Sequence, residues 1–244
     1  MSDAALLLID IGNSRIKWGW ADAGGIAPGE PFVGSDFSAA WSGLPRPSAV
    51  WISNVAGPEY AERLRDWVSG RWGLDAHFAR SEARACGVIN GYDEPARLGV
   101  DRWLALIGAR GRYAGPLCVA DCGTAITVDV LSASGEHLGG VIAPGLALMN
   151  EALGKRTHAL SPAGRALVFD LARETESAIA AGVYGAAAGL IEWTRDAAAK
   201  RLGSLPRLIL TGGDGERLAP AWDEAKLVPE LILDGLRIMA LETR

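Results

Sequence analysis

Asp10-Ile11-Gly12-Asn13-Ser14 follows the apolar run Leu6-Leu7-Leu8-Ile9 and precedes the alternating stretch Ile16-Lys17-Trp18-Gly19-Trp20. The same order returns at Asp121-Cys122-Gly123-Thr124-Ala125, between Leu117-Cys118-Val119-Ala120 and Ile126-Thr127-Val128-Asp129-Val130. A short apolar run reads as a buried strand and an alternating one as a strand with one covered face, so each copy predicts a β-hairpin. Glycine lets such a turn tighten and approach an anion closely, successive N–H groups point at phosphate oxygens, and Asn, Ser or Thr adds neutral donors. The Asp would repel phosphate unless a cation sat between them, and a carboxylate at a strand end is what Mg²⁺ uses. One Asp-x-Gly alone reads as an ordinary hairpin turn, since both residues favour turns. The matched pair is what points to a nucleotide triphosphate.

Outward from the first copy, Ala49-Val50-Trp51-Ile52 reads as a strand. A helix opens at Pro58, with Leu64, Trp67 and Val68 on one face and Gly73 near its end. Leu74 to Phe78 reads as a further strand. Val100, Trp103, Leu104 and Ile107 share a helical face that stops near Gly111 to Gly115-Pro116, which places a boundary between halves 1–115 and 116–244. In the second half, Val141 to Gly145 follows a Gly-rich loop, and helical patterns cover about Glu151 to Leu153 and Glu174 to Lys200. Arg207 to Thr211 then reads as a buried strand, and Glu230 to Leu241 as a closing helix.

A third glycine cluster, Gly212-Gly213-Asp214-Gly215, follows the apolar Leu208-Ile209-Leu210. Beside two phosphate turns, bare backbone there can admit a flat adenine or ribose, because no Cβ intrudes. Other nucleotide signatures fail. Gly154-Lys155-Arg156-Thr157 lacks the upstream Gly and the adjacent hydroxyl of a P-loop, and Gly108, Gly111 and Gly115 have the wrong spacing for a dinucleotide fingerprint. The segment Gly91-Tyr92-Asp93-Glu94-Pro95-Ala96-Arg97-Leu98-Gly99-Val100-Asp101-Arg102 brings a Tyr, an acid and a base into the entrance of a helix, which has the look of a site. On chemistry alone, Asp101 beside Arg102 reads first as a surface ion pair, worth little.

Composition excludes several classes. The 244 residues are 49% hydrophobic, enough for a sizeable core, and the net charge is -5. The 24 Lys and Arg are scattered without a basic stripe, so no nucleic-acid role is expected. Met1-Ser2-Asp3-Ala4-Ala5 carries no basic residue before a strand-length apolar run, so it does not read as a signal peptide. The apolar stretch Ala178 to Ile191 is short of the roughly 20 residues a membrane span needs. Cys86, Cys118 and Cys122 form no CxxC pair, and reduced, cytoplasmic thiols buried as small hydrophobes are expected.

Asp10, Asp121 and the Gly212 segment together resemble the actin-like superfamily of acetate and sugar kinases, Hsp70 and actin. That resemblance implies an α/β fold of duplicated actin-like ATPase (ribonuclease H-like) domains, each with a central mixed sheet flanked by helices. Within it, Pro95, Leu98-Gly99 and Asp101-Arg102 resemble the P-x-x-L-G-x-D-R motif of the type III pantothenate kinases. Gly139-Gly140-Val141-Ile142-Ala143-Pro144-Gly145 and Thr175 also fall where that family has its motifs.

The family resemblance implies ATP-dependent phosphorylation of pantothenate to 4′-phosphopantothenate, with Asp101 as general base and Arg102 on the pantothenate carboxylate. Tyr92, Gly99, Val100 and Thr175 would complete the acceptor pocket. ATP would lie on Asp10, Ile11, Gly12, Asn13, Ser14, Arg15, Ile16 and Lys17 and on Thr124, with Asp10 steering Mg²⁺. Asp121 resembles the family's monovalent-cation ligand, for K⁺ or NH₄⁺. Ser14 stands where many members have Thr, Ile126 replaces a second Thr, and the stretch Lys155 to Asp170 is longer than usual. Small residues at Gly182, Ala186 and Gly189 permit close helix approach, within the chain or across the homodimer that the resemblance implies. Two other readings are a sugar or carboxylic-acid kinase of the same superfamily and a non-catalytic regulatory protein, as the name Bvg accessory factor, given to relatives, suggests.

Overall fold

The computed structural model describes residues 5–156 and 171–243; most of the Lys155–Asp170 stretch lies outside them. In chain order the elements begin β1 (Leu6–Ile11), β2 (Ile16–Asp22), β3 (Gly25–Pro28), α1 (Phe37–Trp41), β4 (Ala49–Asn54) and α2 (Pro58–Trp72). There follow β5 (Ala76–Phe78), β6 (Arg84–Ala85), β7 (Val88–Ile89), α3 (Val100–Arg112), β8 (Leu117–Cys122), β9 (Ala125–Leu131) and β10 (His137–Pro144). The chain closes with α4 (Leu146–Arg156), α5 (Thr175–Leu202), β11 (Arg207–Thr211), α6 (Gly215–Leu218), β12 (Lys226–Leu227) and α7 (Leu231–Glu242). No helix among the described residues is long and apolar enough to cross a membrane.

The chain divides into two compact units, 1–112 with 230–244, and 113–229. Each holds a five-stranded mixed sheet of the same plan, ordered β3-β2-β1-β4-β5 in the first and β10-β9-β8-β11-β12 in the second. In both, the central strand (β1 or β8) pairs antiparallel with its hairpin partner and parallel with the next strand (β4 or β11). The echo of two short motifs thus extends to all five strands.

In the first unit every residue of β1 is buried, as a central strand covered on both faces requires. Leu7, Ile9 and Ile11 share a core with Val50, Ile52 and the α2 residues Leu64, Val68 and Trp72, joined by Phe37 and Trp41. Helix α2 runs from Pro58 to a left-handed Gly73 cap, as its punctuation predicts. The opposite face of the sheet is covered by α7, which packs on β1 and β4 and lies along α3. This helix crossing is close because it is glycine-lined: a Cβ on Gly108 would run into the Leu231 carbonyl, and one on Gly235 into the Leu104 carbonyl. Chain order alone places α7 in the half 116–244, yet its partners are Leu104 and Gly108 in the first unit, and Arg112 Nε meets Asp234 Oδ2 at 2.5 Å beside them. Contacts that close over such a sequence distance leave no local period to read.

In the second unit α5 supplies Val183, Tyr184, Ala187, Ala188 and Ile191 to the core beneath β8, β9 and β11. Strand β10 begins at His137, earlier than the Val141 start that periodicity predicts. A register shift between His137 and Gly139, with Gly139 at φ +109°, carries the strand through what reads as a loop. Helix α4 likewise extends well before Glu151. The short α1 and the edge strand β3 are too brief to show a period, and α1 depends on Asp36, whose side chain accepts from the Ala39 N–H at 3.0 Å.

Candidate active site

In the first unit Asp10 is the penultimate residue of the central strand, with 6% of its surface exposed, in register with Lys17 on β2 and Ser53 on β4. The Gly12 N–H donates to the Arg15 carbonyl at 3.1 Å and closes the hairpin, leaving Asn13, Ser14 and Arg15 exposed at its tip. The side chains of Ile11 and Ile16 point into the core, and the Ile16 N–H and C=O are both bonded to Phe32. The exposed residues of this run are therefore Asn13, Ser14 and Arg15, with Gly12 and Lys17 half-buried.

Asp101 is the second residue of α3, where the positive end of the helix favours a carboxylate. Its Oδ1 accepts the Arg102 N–H at 2.8 Å, and it curls over Gly99, where a Cβ would come within 2.6 Å of that oxygen. Arg102 is only 6% exposed, so this neighbouring acid and base are no surface ion pair. The Arg102 Nη1 donates to the Tyr92 hydroxyl at 2.8 Å, and its guanidinium lies 5.6 Å from the Tyr92 ring centroid. Tyr92, Gly99, Val100, Asp101 and Arg102 lie together at the helix entrance.

In the second unit three glycine approaches converge on the end of β8. The Gly123 N–H donates to the Ala125 carbonyl at 3.0 Å, one residue tighter than the equivalent bond across the first hairpin, and Thr124 is left exposed. The Gly145 N–H donates to the Thr124 carbonyl at 2.9 Å just before α4, and a Cβ there would strike the Gly123 carbonyl. Gly212, at φ +86°, lies so close over β8 that a Cβ would meet the Asp121 carboxylate and the Cys122 carbonyl. The Asp214 N–H donates to that same Cys122 carbonyl at 2.8 Å. Asp121 thus sits half-buried in a cradle of backbone. Thr175 is the exposed first residue of α5.

Among the described residues no group of three or more His, Cys, Asp or Glu side chains could hold a metal. The cysteines are free. Burial pushes the Cys118 thiol up to about 12; burial, then a hydrogen bond with Glu242, does the same to Cys86. None has the lowered pKa of a nucleophile. Sequence reasoning passed over Asn90, buried beside Tyr92, because a lone Asn before Gly91 signals only a turn.

The profile of the type III pantothenate kinase family matches residues 6–196. A type III pantothenate kinase of Nitrosococcus oceani is 39% identical over 252 residues, covering 98% of this chain and 94% of its own. That of Burkholderia thailandensis is 41% identical, covering 96% and 97%. Among solved structures, a Baf family protein from Campylobacter jejuni superposes with a TM-score of 0.67 at 23% identity, covering 97% of this chain and 98% of its own. A ROK family glucokinase from Streptomyces griseus, in complex with glucose and AMPPNP, gives 0.52 at 14%, covering 98% and 99%. The two likenesses show a shared fold, with its paired mixed sheets. Joined to near-full-length identity of about 40%, they lead to one assignment: the chain belongs to the type III pantothenate kinase family.

Proposed function

We propose that this chain transfers the γ-phosphoryl group of ATP to the primary hydroxyl of pantothenate, forming 4′-phosphopantothenate in the first step of coenzyme A synthesis. The observation that carries the reading is the buried Arg102, held by the Tyr92 hydroxyl directly beside Asp101. A planar guanidinium fixed in this way suits a carboxylate, which it can engage through two parallel bonds. Asp101 then faces the acceptor as general base, taking the hydroxyl proton as the oxygen attacks phosphorus in line with the departing ADP. Gly99 and Val100 line the same pocket, and Thr175 adds a hydroxyl to it, from its own chain or a partner.

Asn13, Ser14, Arg15 and Thr124 meet the phosphates of ATP, and the Gly212 backbone takes the adenosine. Asp10 suits Mg²⁺, which needs only one or two protein carboxylates and completes its shell with water and phosphate; bound there, it neutralises charge on the triphosphate. Asp121, cradled by glycine backbone, suits a monovalent cation, K⁺ or NH₄⁺. The test is to mix purified protein with ATP, Mg²⁺, K⁺ and pantothenate and follow the product by mass spectrometry. Phosphopantothenate is expected. ATP consumption driven by a sugar or another acid instead would move the substrate elsewhere in the superfamily, and no turnover with any acceptor would favour a regulatory protein.

The chain also reads as a cytoplasmic homodimer. Gly182, Gly185 and Gly189 on α5 have open space where a Cβ would stand, and Trp193, one turn on, is 62% exposed. A second copy of α5 can approach such a face closely and cover the indole. Sedimentation should give twice the 25.6 kDa of one chain, and Gly189→Glu should halve it. A monomeric wild type would refute this arrangement.

A further inference from the structure

Asn90 follows β7 and is 9% exposed. Its Nδ2 donates to the Glu82 carbonyl and to the Pro95 carbonyl, both at 3.1 Å. Its Oδ1 accepts the Tyr92 N–H at 3.0 Å, and its own N–H donates to the Ala83 carbonyl at 3.0 Å. The orientation of the amide follows from chemistry: two partners are carbonyls that only accept, and the third is an N–H that only donates. One side chain therefore ties three separated points of the backbone, and it uses both of its donor hydrogens to do so. Ser81 pins the far end of the same loop, its hydroxyl donating to the Leu98 carbonyl at 2.8 Å.

We infer that Asn90 is a positioning residue for the acceptor site, setting through Tyr92 where the Arg102 guanidinium stands. This rests on the reading of that site as the pantothenate pocket. The chain of contacts is short: Asn90 fixes the Tyr92 backbone, the Tyr92 hydroxyl accepts from Arg102, and Arg102 is the cation that meets the substrate carboxylate. Arg102 is too buried to be oriented by solvent, so its direction is inherited from its protein partners. No other residue type reproduces the triple tie. Asp would turn a carboxylate oxygen on two carbonyls, and Ala would leave two carbonyls and one N–H without this partner at a buried position. Asn90 touches neither substrate in this scheme, so its effect should fall on recognition of the acceptor and leave ATP use alone.

The experiment is steady-state kinetics of Asn90→Ala in the full chain, with pantothenate and ATP varied in turn, beside Tyr92→Phe and the double variant. Loss of the tie should raise KM for pantothenate about tenfold, the factor that about 1.4 kcal/mol represents. KM for ATP should stay within about twofold. Because both residues act through Arg102, the double variant should be no worse than the more damaged single one. An unchanged pantothenate KM, an equal rise for both substrates, or additive effects in the double variant would each overturn the proposal. Asn90→Ser keeps an oxygen for the Tyr92 N–H. It should show the same split at reduced size, and it serves if the Ala variant folds poorly. Hydrogen exchange of residues 91–98 gives a readout independent of turnover: Asn90→Ala should speed exchange there about tenfold, and unchanged protection would refute the tie. Wild-type protein that fails to phosphorylate pantothenate would defeat the functional reading instead, leaving the exchange measurement to decide the role of Asn90.

Discussion

Asp101→Asn should lower kcat for pantothenate phosphorylation by about 100-fold, at the lower end of what a positioned general base contributes. The substitution is nearly isosteric, and the Asn oxygen can still accept the Arg102 N–H that now bonds to Asp101 Oδ1. The helix entrance should therefore keep its shape, the melting temperature should stay close to that of the parent, and KM for pantothenate should change little because Arg102 is untouched. The loss is held to about two orders of magnitude because phosphoryl transfer depends more on in-line placement and charge neutralisation than on the strength of the base. A purified variant that turned over at near the parental rate would remove Asp101 from its assigned role.

Gly212→Ala should have a large structural effect for one added methyl group. The residue sits at φ +86°, where a side chain is strained, and its Cβ would press on the Asp121 carboxylate, which can swing aside, and on the Cys122 carbonyl, which cannot yield without moving β8. Left-handed strain and overpacking together should destabilise the second unit by on the order of 3 kcal/mol, read from urea unfolding. The surviving folded protein should bind ATP more weakly, because the same methyl group pushes the Asp121 carboxylate aside and shifts the backbone turn at the proposed nucleotide site. Gly70→Ala is the control: its Cβ would meet open space on helix α2, and about 0.5–1 kcal/mol of stabilisation is expected. Parental stability and parental KM for ATP in Gly212→Ala would contradict the proposed contact.

The glycine cradle shows why part of the site was legible and part was not. Asp10 and Asp121 were readable because each stands at the end of an apolar run and the start of an alternating one, a pattern written in adjacent residues. Gly212 was readable as a bare turn. That its backbone closes over Asp121 was not, because the contact joins residues far apart in the chain and leaves no spacing behind. The same holds for Arg102: the motif names it, but burial and the Tyr92 hydroxyl turn it from half of a surface pair into a fixed cation. Asn90 carried no signal, since its three bonds go to backbone atoms of residues whose own side chains are irrelevant to the tie.

Local hydrogen bonding and alternation settled the two hairpins, the helix that opens at Pro58, the helix that carries Asp101 and the strand that leads to Gly212, each of which lies where its own residues put it. The tertiary structure decided which elements keep company: α7 joins the first unit through Gly108 and Gly235, β10 runs on through Gly139, and the loop before α3 is held by Asn90 and Ser81. The division has a physical cause. A strand or helix declares itself through neighbours a few residues away, whereas close packing and buried amide bonds depend on shape and on groups that meet only after the chain has folded.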